Sequence, residues 1–170
     1  AKRLAFGYVD HPPLVALMAR INLMIFGHSL LGLRLFAALA GFGTILLAGG
    51  IARQLGGGKF AQSLSSVMIL VAIAFPALFN FFSMNAFDIL ICSLLFYIML
   101  KITNGASPKT WLWFGLVAGI GVMNKYTILV LGFGFVVGLL ATKERKHLTT
   151  PWPYLAGVMV FLIFLPHILW

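Results

Sequence analysis

Long apolar runs separated by short polar gaps dominate the chain. The runs lie at about 32–52, 60–80, 86–102, 111–124, 126–142 and 153–170. A membrane-spanning helix needs about 20 predominantly apolar residues, so most of these runs come near the length required to cross a bilayer. The pattern therefore predicts an all-α membrane protein, a polytopic transmembrane helix bundle of about five to six spans.

The two runs on either side of Asn124, Lys125 and Tyr126 are short for two full crossings. We interpret them as two helices that meet at a turn, and the alternative is one long kinked helix. The choice decides the chemistry, because a turn places Lys125 at a membrane boundary. A lysine in mid-helix that faces lipid would have no binding role.

Residues 12–28 are too short and too interrupted to span a membrane. Apolar side chains recur at helical spacing between Leu14 and Ile25, but Arg20 and Asn22 interrupt them. Such a stretch favours a helix that lies along the membrane surface. The predicted organisation is an outer loop over residues 1–11, an interfacial helix over 12–28 and a helix bundle over 32–170.

Composition supports a lipid environment rather than water. The 170 residues are 62% hydrophobic and 9% charged, whereas a soluble domain has about 25% charged residues. The formal net charge of +9 would suggest nucleic acid in a soluble chain, but here the basic residues lie in short gaps between apolar runs. That distribution indicates membrane topology and no nucleic-acid partner. The single cysteine, Cys92, excludes a disulfide framework within the chain.

The basic residues lie in alternate gaps if the region around Asn124 is a turn. Short cytoplasmic loops collect Lys and Arg. Seven basic residues then share one side: Arg53, Lys59, Lys101, Lys109, Lys143, Arg145 and Lys146. The opposite gaps are predicted to face outward, although Lys2, Arg3 and Arg20 of the N-terminal segment also fall on that side.

Under this topology, ionisable residues gather at the predicted outer face. They are Asp10, Arg34, Asp88, Lys125 and His167. Ionisable groups are costly to bury at a membrane boundary and often mark functional sites. The chain has only three acidic residues, and the third, Glu144, lies among inner basic residues. Any carboxylate chemistry on the outer face must therefore use Asp10 or Asp88.

The two acids also have structural explanations. Asp10 precedes Pro12 and Pro13, so it would cap the helix that follows. Asn85 and Asp88 have the spacing of a capping box with Asn85 as the N-cap, and the helix dipole would favour an acid in that first turn.

The cations and glycines have structural explanations as well. Arg34 and Lys125 would reach the membrane interface along their apolar stems, and His167 would be an interface or core residue with its hydrogen bonds satisfied. Gly115 and Gly119 form a GxxxG pair, which favours close packing between helices.

Five short motifs follow one another along the chain, and together they resemble a known family. The most specific is Gly7-Tyr8-Val9-Asp10-His11-Pro12-Pro13-Leu14, followed by LGLRL at 31–35, NAFDIL at 85–90, NKYT at 124–127 and LPHILW at 165–170. They resemble C-type, multi-spanning membrane glycosyltransferases related to the dolichyl-phosphate-mannose protein mannosyltransferases and the aminoarabinose lipid A transferase (glycosyltransferase family 39). His167 departs from the pattern, where Asn is more usual.

The resemblance implies a reaction at the outer face of the membrane. A sugar would move, with inversion, from a polyprenyl-phosphate-linked donor to a protein, lipid A or glycolipid acceptor. Asp10, the first-loop acid, would be the catalytic base. The leaving phosphate would need fixed positive partners.

The resemblance also implies roles for the other residues. Lys125 and Arg34 would bind the donor phosphate, with a hydrogen bond from Tyr126. Asp88 and His11 would orient the acceptor or a metal, and a divalent cation at Asp88 is one of the options left open; no other cofactor is implied. Asp88 would alternatively hold a cationic partner.

The family setting is a bacterial inner membrane, with a multi-pass chain, surrounding membrane lipids and an active site that faces the periplasm or exterior. The chain is expected to be the N-terminal part of a larger catalytic core, with a preceding helix and a C-terminal portion outside it. Two other classes stay open. A transporter or lipid-carrier flippase would also bury ionisable residues in a helix bundle, and a scaffold would use them only for capping and anchoring.

Overall fold

The computed structural model describes residues 12–170. The predicted outer loop, with Asp10 and His11, lies outside the described residues. The described part is all-helical, which confirms the fold class of an all-α membrane protein. Its elements are α1 (Leu14–Phe26), α2 (Leu30–Gln54), α3 (Lys59–Val71), α4 (Ala74–Phe79), α5 (Met84–Thr103), α6 (Thr110–Val122), α7 (Thr127–Ala141), a 3₁₀ segment (Lys143–Thr149) and α8 (Trp152–Ile168).

Helix length does not confirm five to six spans. Only α2 and α5, with 25 and 20 residues, are each long and apolar enough to cross a membrane, among the residues described. α7 and the 3₁₀ segment pass the same test only as a pair, and they are bent by 110° at their junction. The described chain thus has two helices of spanning length, or three if the bent pair is one span. Four shorter apolar helices have 13 or 17 residues: α1, α3, α6 and α8.

The predicted run over 60–80 is not one helix. α3 ends at Val71, Ala72 is extended (φ −60°, ψ 124°), and α4 starts at Ala74. Pro76 explains the break, because a proline in a helix lacks a backbone N–H and its ring clashes with the carbonyl four residues earlier. In a continuous helix that carbonyl would belong to Ala72.

Two helix pairs run in the same direction. A Cβ on Gly43 of α2 would meet Leu90 of α5, and a Cβ on Gly50 would meet Tyr97. Both contacts advance by seven residues, so α2 and α5 lie side by side in parallel.

The second parallel pair of helices, α6 and α8, is in contact at the GxxxG pair of Gly115 and Gly119. A Cβ on Gly115 would lie 2.8 Å from the Cα of Ala156, and one on Gly119 would lie 2.6 Å from Ile163. α6 and α8 are therefore in parallel and closely packed, as the glycine spacing predicted.

α6 and α7 form an antiparallel hairpin. Near the turn, a Cβ on Gly121 would touch Ile128; farther away, the rings of Phe114 and Phe135 lie 5.7 Å apart. The contacts move outward from the turn in opposite directions along the two helices. The prediction of two helices that meet at a turn is confirmed, and the single kinked helix is wrong.

These directions give the bundle two ends. We call the end with the starts of α2, α5 and α7 the site end, and the opposite end the basic end. At the basic end, the Asn104 side-chain amide donates to the Gln54 carbonyl (2.7 Å), and the Trp111 ring lies 6.1 Å from that of His147. The seven basic residues of the predicted inner side lie in the gaps that meet at this end.

Candidate functional site

The first turn of α5 supplies one wall of a polar cluster at the site end. α5 begins at Met84, with Ser83 as its N-cap and no side-chain capping bond. The predicted capping box with Asn85 as N-cap is wrong, because the helix starts before Asn85. The side-chain oxygen of Asn85 instead accepts a hydrogen bond from Lys125 Nζ at 3.0 Å.

Asp88 connects α5 to the start of α7. The Thr127 hydroxyl lies 2.9 Å and 3.1 Å from its two carboxylate oxygens, and Lys125 Nζ lies 3.9 Å from Oδ2. The Asp88 side chain is 14% exposed and that of Lys125 is 35% exposed. The carboxylate also lies beside the N-terminus of α7, where the helix dipole favours negative charge.

Asn124 holds the turn against α5. Its side chain is fully buried, and its amide donates to the Met84 carbonyl at 3.0 Å. The backbone N–H groups of Asn124 and Lys125 both bond to the Gly121 carbonyl (2.9 Å). This turn presents Lys125 to Asn85 and Asp88, so the position of the ammonium group follows from the hairpin.

Two buried polar atoms in the segments that form the cluster have no hydrogen-bond partner within residues 12–170. They are Asn124 Oδ1 and Ser83 Oγ. An unpaired buried polar atom typically costs about 1–3 kcal/mol. Both atoms belong to the segments that hold Asn85 and Lys125, so the segments that form the site carry polar groups whose burial is not offset by contacts within the described chain.

Tyr126 and His167 form a second contact at the same end. The Tyr126 hydroxyl lies 2.7 Å from His167 Nε2, and the Tyr126 ring packs edge-on to Phe164 at 6.1 Å. The contact joins the start of α7 to the end of α8. Sequence analysis gave Tyr126 a donor-binding role and left His167 as a satisfied residue, and no sequence pattern pairs the two.

The predicted site residues divide into three groups. Lys125 and Asp88 come together, and Asn85 and Thr127 join them without having been predicted as partners. Arg34 lies on the second turn of α2, exposed, at the site end. Asp10 and His11 lie outside the described residues.

The described cluster offers charge and hydrogen-bond donors to a ligand. Within residues 12–170, no group of three or more His, Cys, Asp or Glu side chains is placed to hold a metal ion. A lysine ammonium carries three donors and no acceptor. Since Asn85 takes one of them at hydrogen-bond distance, Lys125 retains donors for an anionic ligand.

The fold and the cluster define a class: an all-α membrane protein with a polar, acid-lysine site where its helices begin. The chain belongs to the family described as dolichyl-phosphate-mannose-protein mannosyltransferase, which it matches over residues 10–170. This confirms the resemblance and supports a membrane glycosyltransferase in general. Comparisons with curated proteins and with solved structures gave no match.

Proposed function

We propose that the protein transfers a sugar from a polyprenyl-phosphate-linked donor to a protein or lipid acceptor at the outer boundary of the membrane. The observation that carries this proposal is the pairing of Lys125 with Asn85 and Asp88 at the site end. A donor of this kind keeps its tail in the bilayer and its phosphate at the interface. A cationic site at the ends of the helices suits that phosphate.

Lys125 stabilises the leaving phosphate. Its side chain is one-third exposed, and its ammonium retains donors, as phosphate binding requires. Among the roles considered for Asp88, its contacts favour that of a positioning residue, since it faces Lys125 and accepts from Thr127. The divalent cation at Asp88 has no support from a ligand cluster in the described part of the chain.

Asp10 is the proposed general base, and chain connectivity supports its placement. The N–H of Leu14 bonds to the Met123 carbonyl at 3.0 Å, two residues before Lys125. The first described helix therefore begins beside the turn, four positions after Asp10 in the sequence. Arg34 and His11 complete the proposal as a second phosphate cation and an acceptor-orienting group.

The proposed reaction is a single inverting displacement. Asp10 takes the proton of the acceptor hydroxyl as that oxygen bonds to the anomeric carbon. The bond between the anomeric carbon and the phosphate oxygen breaks, and its electron pair stays with the phosphate, beside Lys125. Tyr126 contributes a hydrogen bond when its hydroxyl leaves His167 and donates to a phosphate oxygen instead.

The test is a transfer assay on the full-length protein with extracted polyprenyl-phosphate sugars. Asp10→Asn should lower the transfer rate at least about a hundredfold, as expected for a general base. Glu144→Gln is the matched control at the basic end and should leave the rate unchanged. A scaffold role instead predicts full turnover in Asp10→Asn, with at most about 1 kcal/mol of lost helix capping.

Sidedness supplies an independent test. Reporter fusions at residues 10 and 125 should report the same, outer side of the membrane. Fusions that place the two residues on opposite sides would refute the proposed site.

A further inference from the structure

An apolar slot lies between α7 and α8, with α6 as its floor. Its volume is about 280 Å³, and its walls include Leu129, Val136 and Gly132 of α7 and Gly157 and Val160 of α8. Leu129 and Val136 are about half exposed, so the slot is open along its outer side. All of its lining residues are apolar or glycine, which suits a hydrocarbon ligand.

The length of the slot matches one leaflet of a bilayer. Its α7 wall extends over residues 128–139, and eleven residues of helix rise about 16 Å. The hydrocarbon core of a membrane is about 30 Å thick, and each leaflet supplies half of it. One acyl chain that follows the slot would therefore remain within its own leaflet.

The two ends of the slot differ. At the site end, the Tyr126 hydroxyl bonds to His167 (2.7 Å) and its ring packs on Phe164, which ties α7 to α8. At the basic end, Leu148 of the 3₁₀ segment and Pro153 of α8 line the slot. A ligand with a polar head therefore has its head at the basic end.

The 3₁₀ segment places positive charge at that end. Its acid, Glu144, is compensated by Lys146 at 3.2 Å and by His147 at 3.1 Å. Lys143 and Arg145 are exposed, and neither has a salt bridge within residues 12–170. Basic residues near a membrane surface attract anionic lipid headgroups.

We propose that the slot and the 3₁₀ segment bind an anionic phospholipid from the leaflet at the basic end. One acyl chain lies in the slot, and the headgroup phosphate contacts Lys143 and Arg145. The lipid site contains neither Asp10 nor Lys125, and only the exclusion of the polyprenyl donor as its occupant rests on the proposed function. The polyprenyl donor is a poor occupant, because its phosphate belongs at the site end, where Tyr126 and His167 tie the two helices together.

The experiment uses the full-length protein in vesicles of phosphatidylglycerol and phosphatidylcholine in equal amounts. After extraction in detergent, retained lipid is measured by native mass spectrometry. The protein should keep stoichiometric phosphatidylglycerol in preference to phosphatidylcholine. Lys143→Gln with Arg145→Gln should lower retention about 30-fold, from roughly fivefold per charge. Arg53→Gln with Lys59→Gln removes two charges at the same end, away from the slot, and should change retention less than twofold.

A second arm fills the slot. A Cβ on Gly157 or Gly132 would meet no atom within 4 Å, so Gly157→Leu should place its side chain in the slot and abolish retention. Gly132→Leu repeats the test if Gly157→Leu does not fold. Gly138 is equally open but does not line the slot, so Gly138→Leu should retain the lipid.

Four results would overturn the proposal. They are equal retention of the two phospholipids, equal losses in the two charge variants, unchanged retention in the folded slot variants, and no retained lipid at all, as expected if a helix from elsewhere in the full chain fills the slot.

Discussion

The two ends of the bundle hold their charges in different ways. At the site end, Lys125 bonds to Asn85 across 40 positions, and Thr127 bonds to Asp88 across 39. At the basic end, Glu144 pairs with residues two and three positions away. A local pair forms on almost any loop, whereas a pair across 40 positions exists only if the hairpin packs against α5.

The difference separates two uses of charge in one membrane protein. The exposed, sequence-local charges of the basic end are sufficient to orient the helices. The site end brings an acid and a lysine together from separate helices and supports them with amide and hydroxyl groups. Such an arrangement is costly at a membrane boundary, as expected where ionisable groups bind or react.

The largest expected effect comes from a comparison in which one lysine is replaced at each end of the bundle. We expect a large loss of activity only at the site end. Lys125→Gln should lower the transfer rate about a hundredfold, the typical cost of losing one group that stabilises developing negative charge. Lys146→Gln should leave the rate within about twofold, since exposed ion pairs contribute little. Both rates are measured in the polyprenyl-phosphate-sugar assay.

A double variant distinguishes two roles for Lys125: stabilising the leaving phosphate, or only pairing with Asp88. If Lys125 served only to neutralise Asp88, then Asp88→Asn combined with Lys125→Gln would restore the rate. We expect no recovery, because the leaving phosphate would still lack its cation. Recovery to more than about a tenth of the original rate would refute the phosphate role.

Much of the site end could be predicted because topology and charge are regular along the chain. Alternate basic gaps placed Asp88 and Lys125 on one side, and the polar break at Asn124 marked the turn. The contact of Lys125 with Asn85 could not be predicted, since it depends on where α5 starts. A helix start shifted by one or two residues changes whether Asn85 caps the helix or faces the turn.

The fold was less predictable where backbone geometry, which hydropathy does not reflect, determines where helices begin and end. The run over 60–80 is apolar throughout, yet Pro76 divides it into α3 and α4. The number of spans predicted by counting apolar runs is likewise not confirmed by helix length, because helices such as α6, with 13 residues, are short. The pairing of Tyr126 with His167 depends on side-chain directions at two helix ends, which no periodicity records.

A smaller effect is expected from a substitution at the contact between α6 and α8. Gly115→Ala would place a Cβ 2.8 Å from the backbone of Ala156, which cannot move away without separating α6 from α8. Overpacking of this kind costs about 1–3 kcal/mol, so the thermal midpoint in detergent should fall. Transfer and lipid retention should then fall together.

The control for Gly115→Ala is Gly138→Ala on α7. A Cβ on Gly138 meets no atom within 4 Å, and alanine in a helix interior is favoured over glycine by about 0.5–1 kcal/mol. This variant should therefore be as stable as the parent or slightly more stable. A fall in its midpoint equal to that of Gly115→Ala would show that loss of glycine, rather than the contact with α8, is responsible.

The smallest expected effect is that of Glu144→Gln, which is compared with the same acid-to-amide change at Asp88. Glu144→Gln removes partly exposed, local pairs, so it should change the free energy of unfolding by less than about 1 kcal/mol. Asp88→Asn should cost more, about 1.5–3 kcal/mol, the usual range for hydrogen bonds to a charged group, because Thr127 and Lys125 both lose their carboxylate partner. Unfolding in detergent, followed by loss of helical signal, measures both. Equal costs at the two ends would mean that the distance in sequence between partners does not determine how strongly the fold depends on them.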